Sequence, residues 1–225
     1  MRASAPRASI TATATFCEQD GAAQAPTETG SLDFHETFGR GWADRWAVQH
    51  LSSKATLYSV ISLQDGEALF AQSDNAASAL IRVVDGVEGV GATLSWRWRI
   101  ELPLSADLRE REQRGDDFAA RVFVIFGDEL NEDTRALCYV WSASEPGGAM
   151  FPNPHVEQVA TIVVRSGPDR VGKWTVEERD IAADYRRAFG ASDAQIGAIA
   201  LMVDTDNSRS TARSWFDDVT LTVKR

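Results

Sequence analysis

Trp96-Arg97-Trp98-Arg99-Ile100 is the stretch whose reading decides the fold. In an extended chain, successive side chains point to opposite faces. Leu94, Trp96, Trp98 and Ile100 therefore share one face, and Ser95, Arg97 and Arg99 share the other. The first face is suited only to a core. The second carries two guanidiniums that need carboxylate, phosphate or water. A strand this two-faced belongs in an antiparallel sheet with one side packed and one side open to chemistry.

Strand signals recur on both sides of it. They cover Ala47–Leu51, Leu57–Leu63, Glu67–Gln72, Ser78–Val84, Ala92–Leu102, Phe118–Phe126, Arg135–Ser142, Val156–Arg165, Trp174–Arg179, Gly197–Val203 and Trp215–Val223. Gln64-Asp65-Gly66 between two of them reads as a hairpin turn, where Gly supplies a positive φ. Many short strands with few helices predict an all-β antiparallel sandwich of jelly-roll type, with one or two short helices. Asp180–Gly190 reads as a helix with Asp180 as N-cap and Ile181, Tyr185 and Phe189 on one stripe. Ser105–Gly115 is almost wholly charged, with Asp107/Arg111 and Glu110/Arg114 spaced i,i+4, and reads as a solvated helix or ordered loop.

The chain has 225 residues, 44% of them hydrophobic, with seven Trp and ten Phe, enough for one substantial core. Residues 1–31 are rich in Ala, Thr, Ser and Pro and read as a disordered N-terminal arm; 32–225 reads as a single β-sandwich domain. A net charge of −10 disfavours nucleic acid and anionic lipid, which need a concentrated positive patch. No apolar run reaches the ~18 residues of a membrane span. The first 30 residues lack the apolar stretch of an export signal. Of the two cysteines, Cys138 lies in an apolar run and reads as buried, whereas Cys17 lies in the arm; a bridge between them is disfavoured.

Besides Trp96–Ile100, two segments carry the polar residues of interest. In Asp116-Asp117-Phe118-Ala119-Ala120-Arg121, a strand begins beside two acids, and alternation puts Arg121 with Ala119 and Phe123, opposite Phe118, Ala120 and Val122. Arg97, Arg99 and Arg121 are expected on one sheet surface. The structural reading is a buried ion-pair network; the functional reading is a ligand-binding cluster. In the third segment, an apolar strand ends in Asp204-Thr205-Asp206-Asn207-Ser208. An Asx-turn is the default there, and a calcium site from Asp204 and Asp206 is the alternative. It is no EF-hand, because Arg209 and Trp215 stand where Gly and Glu are required. Trp42, Trp46 and Trp141, flanked by polar residues, are the tryptophans suited to stack on a sugar; Trp96 and Trp98 belong to the core. Hydrolase, metalloprotease, P-loop and dinucleotide signatures are missing.

Taken in order, several segments resemble a bacterial family catalogued as domain of unknown function 3047, over residues 36–223. They are Trp96-Arg97-Trp98, Asp116-Asp117 with Ala120-Arg121-Val122, Tyr139-Val140-Trp141, Ser166-Gly167 before Trp174, Asp184-Tyr185-Arg186 with Phe189-Gly190, and Asp204-Thr205-Asp206-Asn207. Near the end, Trp215-Phe216-Asp217-Asp218 departs from the aromatic-Gly-Asp closure usual there. The resemblance implies an all-β sandwich in the periplasm or cell envelope and brings no activity with it. The reading reached from the sequence is a non-catalytic binding module for a glycan or polar envelope component. Its ligand-binding residues are Asp116, Asp117, Arg121, Arg97, Arg99, Asp204, Asp206, Asn207 and Trp141. A glycan-active lyase or hydrolase with an Asp/Arg cluster in a cleft is the alternative. A structural or interaction protein with the cluster paired internally is the third reading.

Overall fold

The computed structural model describes residues 33–64, 66–127, 134–190 and 195–223. Among these, the strands form two sheets packed as a sandwich. The six-stranded sheet is built from β1 (Asp33–Glu36), β3 (Leu57–Leu63), β4 (Gly66–Asp74), β6 (Ala92–Leu102), β11 (Thr175–Asp180) and β13 (Thr211–Val223). Its path runs β11-β6-β13-β4-β3, with β1 added beside β13. The seven-stranded sheet runs β2-β5-β12-β7-β8-β10-β9. Its members are β2 (Ala47–His50), β5 (Ser78–Glu88), β7 (Ala120–Phe126), β8 (Ala136–Ser142), β9 (Met150–Pro152), β10 (Val159–Ser166) and β12 (Gln195–Met202). Pairings are antiparallel except that β8 and β10 run parallel. Cys138 is free and buried; Cys17, and any bridge to it, lies outside the described residues.

The alternation in β6 is real. Leu94, Trp96, Trp98 and Ile100 are buried, while Arg97 and Arg99 on the other face keep partial exposure. Trp96 meets Tyr139 with ring centroids 5.4 Å apart, and Trp98 meets Trp141 at 5.9 Å. Trp96 and Trp98 themselves form an edge-to-face pair at 5.4 Å. These contacts bind the two sheets, because β6 belongs to one and β8 to the other. Trp98 Nε1 donates to Glu177 at 3.0 Å, so the buried indole keeps its hydrogen bond. A second polar anchor holds the chain entry. Glu36, 1% exposed, accepts from the Phe38 N–H, the Trp46 indole, Arg45 and Arg82, each within 3.0 Å. Burial raises its pKa, but the Arg45 and Trp46 hydrogen bonds outweigh this and hold it below the ordinary carboxylate range.

After the short helix α1 (Trp42–Arg45), helix α2 (Ile181–Phe189) forms as the sequence predicts: Asp180 accepts from the Ala183 N–H at 2.9 Å, and Gly190 ends it at φ 90°. Residues 105–115 take the loop alternative and not the helix. They fold as turns closed by a 3-10 turn at Gln113–Gly115, and the i,i+4 pairs do not form. Glu110 turns inward instead and accepts from the Ser142 hydroxyl and the Ala143 N–H, while Arg111 reaches Glu145. Gly115 packs on the backbone of Arg109, where a Cβ would come within 2.5 Å of the carbonyl oxygen. Burial raises the Glu110 pKa despite these donors, and the two surface pairs forgone are worth only about 0.2–0.5 kcal/mol each.

Trp98→Ala, which removes the Trp141 contact between the sheets and one of the donors to Glu177, is expected to lower unfolding free energy by about 3–5 kcal/mol. Urea unfolding at constant m-value measures it.

Candidate functional site

A groove of about 460 Å3 runs across the outer face of the seven-stranded sheet. Strand register explains its shape. One row of paired residues reads Ile81, Ala200, Phe123, Cys138, and the next reads Gln49, Ala79, Met202, Arg121. Ala77, Ala79, Ala136 and Ala200 line it along with larger Ile81, Phe123, Ile125 and Met202. Small side chains in the middle strands leave the floor low, and the loops beyond the sheet raise the walls.

One end of the groove is polar. Three loops meet there: residues 116–118 before β7, 153–156 before β10, and 204–208 after β12. Arg121 joins them. Its Nε donates to Asp204 Oδ1 at 2.8 Å, its Nη2 to Asp204 Oδ2, and its Nη1 to Asp116 Oδ1 at 3.2 Å. Its guanidinium lies 4.5 Å from the Phe118 ring centroid. Asp204 also accepts the Phe118 N–H, and Asp116 also accepts Asn153 Nδ2 at 2.7 Å. Asn153 Oδ1 in turn accepts the N–H groups of His155 and Val156, an Asx-turn that sets the wall. Asp117 accepts the N–H groups of Asn207 and Ser208 and the Asn207 amide. Arg121, Asp116, Asp117 and Asp204 are all buried, at 4% exposure or less.

Burial is the main force on Asp204, whose carboxyl is pushed up to about 7; Asp116 and Asp117 add to this, and Arg121 opposes it. Arg121 is held well above its ordinary value: burial works against the charge, but Asp116 and Asp204 outweigh it. Two acids thus share one guanidinium in a buried site. Asp206 is only partly covered and faces the groove; burial, then Asp117, raises its pKa as well. His155 lies at the rim with Nε2 3.9 Å from Asp116 Oδ2.

The expected sites divide accordingly. Asp116, Asp117, Arg121, Asp204, Asp206 and Asn207 do come together. Arg97 and Arg99 do not join them: β6 is in the six-stranded sheet, so both project from the opposite outer face of the sandwich. There Arg97 pairs with Asp217 and Asp218 and lies 4.7 Å over Trp174, and Arg99 lies 4.7 Å over Trp215. Trp141 is 3% exposed, packs on Trp98 and donates to the Gly167 carbonyl, so its face is spent in the core. Trp46 is likewise buried, against Phe34 and Phe38, and Trp42 packs against the same core. Phe118 departs from the alternation expected of it. It precedes the first residue of β7 and folds over the outer face onto Cys138 and Val140. Sequence reasoning missed Asn153, His155 and the apolar floor. The Asn-Pro-His spacing signals the turn, and alternation from Arg121 to Phe123 signals the floor.

Asp117, Asp204 and Asp206 bring ligand oxygens within 4.8 Å of one another, a donor set of the hard kind that calcium takes. Both oxygens of Asp204 already accept from Arg121, and both oxygens of Asp117 accept from the 207–208 loop. A cation here would have to displace those donors and sit against a guanidinium, so the set fits calcium poorly.

The chain belongs to the family described as protein of unknown function, DUF3047, whose model matches residues 44–220. No curated protein matches it in sequence. Among solved structures it is similar to the cellulose induced protein Cip1, at 10% identity and a TM-score of 0.52, covering 85% of this chain and 98% of that one. It is also similar to a family 11 carbohydrate-binding module from Clostridium thermocellum, seen with a β-1,3-1,4-mixed-linked tetrasaccharide. There the identity is 9%, the TM-score 0.47, and the coverage 84% and 94%. Endoglucanase 3 of Trichoderma harzianum gives 11%, 0.44, 89% and 100%. At these identities the likeness is one of β-sandwich fold.

Arg121→Met should cost about 3–5 kcal/mol of stability by stranding Asp204 and Asp116. The pH dependence has a definite sign. A carboxyl whose pKa is raised on folding binds more protons folded than unfolded between its two pKa values. It therefore favours the fold at low pH and loses that contribution as pH rises from about 4 towards about 7. The stability difference between parent and Asp204→Asn should accordingly move against the parent across that range, read from urea midpoints at each pH.

Proposed function

We propose that this protein is a non-catalytic binding module that takes a short glycan along the groove of its seven-stranded sheet. The observation that carries the reading is the two-sided chemistry of that groove: an apolar floor running into a polar end within a volume suited to a small ligand. A pyranose has the same two sides, with C–H faces and a hydroxyl rim. Phe123, partly exposed, is the aromatic ring among the described lining residues, and Ile81 and Met202 flank it as aliphatic contacts. The hydroxyl rim would meet Asp206, Asn207 and His155.

The state of the acids supports binding over catalysis. General acid–base hydrolysis needs two groups free to exchange protons across the substrate. Asp116, Asp117 and Asp204 are buried and hydrogen-bonded within the protein, and Arg121 is consumed by them. Among the described acids lining the groove, Asp206 is the partly exposed one, free to meet a ligand. With Phe123 as the aromatic contact, affinity should be modest, since stacking on an aromatic is worth about 0.5–1.5 kcal/mol beyond the area buried.

Titration with neutral oligosaccharides, followed by NMR or calorimetry, tests the reading. Binding of at least one, weakened about 3- to 10-fold by Phe123→Ala with the fold intact, is the expected result. Absence of binding across cello-, xylo- and manno-oligosaccharides would overturn it in favour of a structural or protein-binding role. In the same thermal assay, millimolar calcium against EDTA is expected to leave the melting temperature unchanged. A calcium-specific rise would mean that Asp206 and Asp117 give up their present environment to hold the ion.

A further inference from the structure

The polar end of the groove is unevenly charged. Asp116 and Asp117 (the loop before β7), Asp204 and Asp206 (the loop after β12) face one guanidinium, Arg121 from β7, and one imidazole, His155 from the 153–156 loop. Arg121 is satisfied by Asp204 and Asp116. Among the described residues, no lysine or arginine forms an ion pair with Asp206, which of the three acids lining the groove, Asp116, Asp204 and Asp206, is the partly exposed one. The complement to such an end is a positive group, and the apolar floor beside it requires that group to sit at the edge of an otherwise apolar face. A sugar carrying a free amine meets both conditions. The ammonium projects from the ring rim next to the C–H faces, at the position where a neutral sugar has a hydroxyl. An N-acetylated sugar offers no charge there, and a uronic acid offers the wrong sign.

Resting on the glycan-binding reading above, we infer that the groove selects glycans with a protonated free amine, and that Asp206 receives the ammonium.

The test compares three probes of equal length and linkage against the full chain: a β-1,4-linked glucosamine tetrasaccharide, its N-acetylated form and the β-1,4-linked glucose tetrasaccharide. Titrations run at pH 6.5 in 20 mM and in 300 mM NaCl. The free-amine probe is expected to bind about 10-fold more tightly than the glucose probe at low salt, with a smaller gap at high salt. Asp206→Asn, which keeps a hydrogen-bonding side chain of the same shape but removes the charge, should bring the two probes within about twofold of each other, mainly by weakening the free-amine probe. The chain carries a net charge of −10 and will attract any polyamine, so Glu178→Gln, on the exposed edge strand β11 of the other sheet, serves as the control and should change nothing. Equal binding of amine and glucose probes would overturn the selectivity and leave the glycan reading standing. Binding of none of the three would overturn both. An amine preference that survives Asp206→Asn, or falls equally with Glu178→Gln, would overturn the assignment to Asp206.

Discussion

Arg121 leaves β7 on the side away from the core, and Phe118 covers it from solvent. A guanidinium in that position survives only with partners of opposite charge at hydrogen-bond distance. Asp204 and Asp116 meet that need, and they come from the same end of an antiparallel pairing: Asp204 follows β12, and Asp116 precedes β7. The ion pair thereby fixes where two strands end. Through Asn153 it also fixes the loop that leads into β10. Asp117, carried next to Asp116, then holds Asn207 and Ser208 by their N–H groups. The shape of the polar end follows from this one buried charge.

The same requirement sorts the acids by role. Those that satisfy Arg121 or the loop amides are buried and committed within the protein. Thr205 turns inward to bond Ser73, while Asp204 and Asp206 flank it, the first enclosed around Arg121 and the second partly exposed. A strand that ends in alternating oxygen-bearing residues thus separates an enclosed carboxylate from a partly exposed one. The floor needs no polar device. It exists because alanines in β5, β12 and β8 pair across the sheet beside larger residues of β5, β7 and β12, which leaves depth where the small residues meet.

The other outer face resolves its charges differently. Arg97 is paired with Asp217 and Asp218 and lies over Trp174, and Arg99 is stacked between Trp174 and Trp215. Trp215 extends the stack to Phe70 at 4.7 Å, so side chains from β4, β13 and β6 and the approach to β11 knit that surface into a closed layer. One sandwich therefore presents a sealed face and a grooved one.

Much of this was legible in the chain. The alternation of Trp96, Trp98 and Ile100 with Arg97 and Arg99 determined a two-faced strand, because a period of two leaves no other placement for two indoles. Asp180 and Gly190 determined the ends of α2 through local hydrogen bonding and backbone freedom. The Asp116-Asp117, Arg121 and Asp204–Asn207 segments were recognisable as polar clusters beside apolar strands. What alternation does not carry is which sheet a strand joins. The same pattern that aligned Arg97, Arg99 and Arg121 in sequence placed them on opposite sides of the molecule, since β6 and β7 pair with different partners. Trp141 was lost to the core for the same reason: its polar neighbours in sequence say nothing about the Trp98 ring facing it across the sandwich. The groove itself, made of alanines and a single phenylalanine contributed by separate strands, came into being only through register. Long-range pairing decides which small residues become neighbours, and no local property of any one of them encodes that.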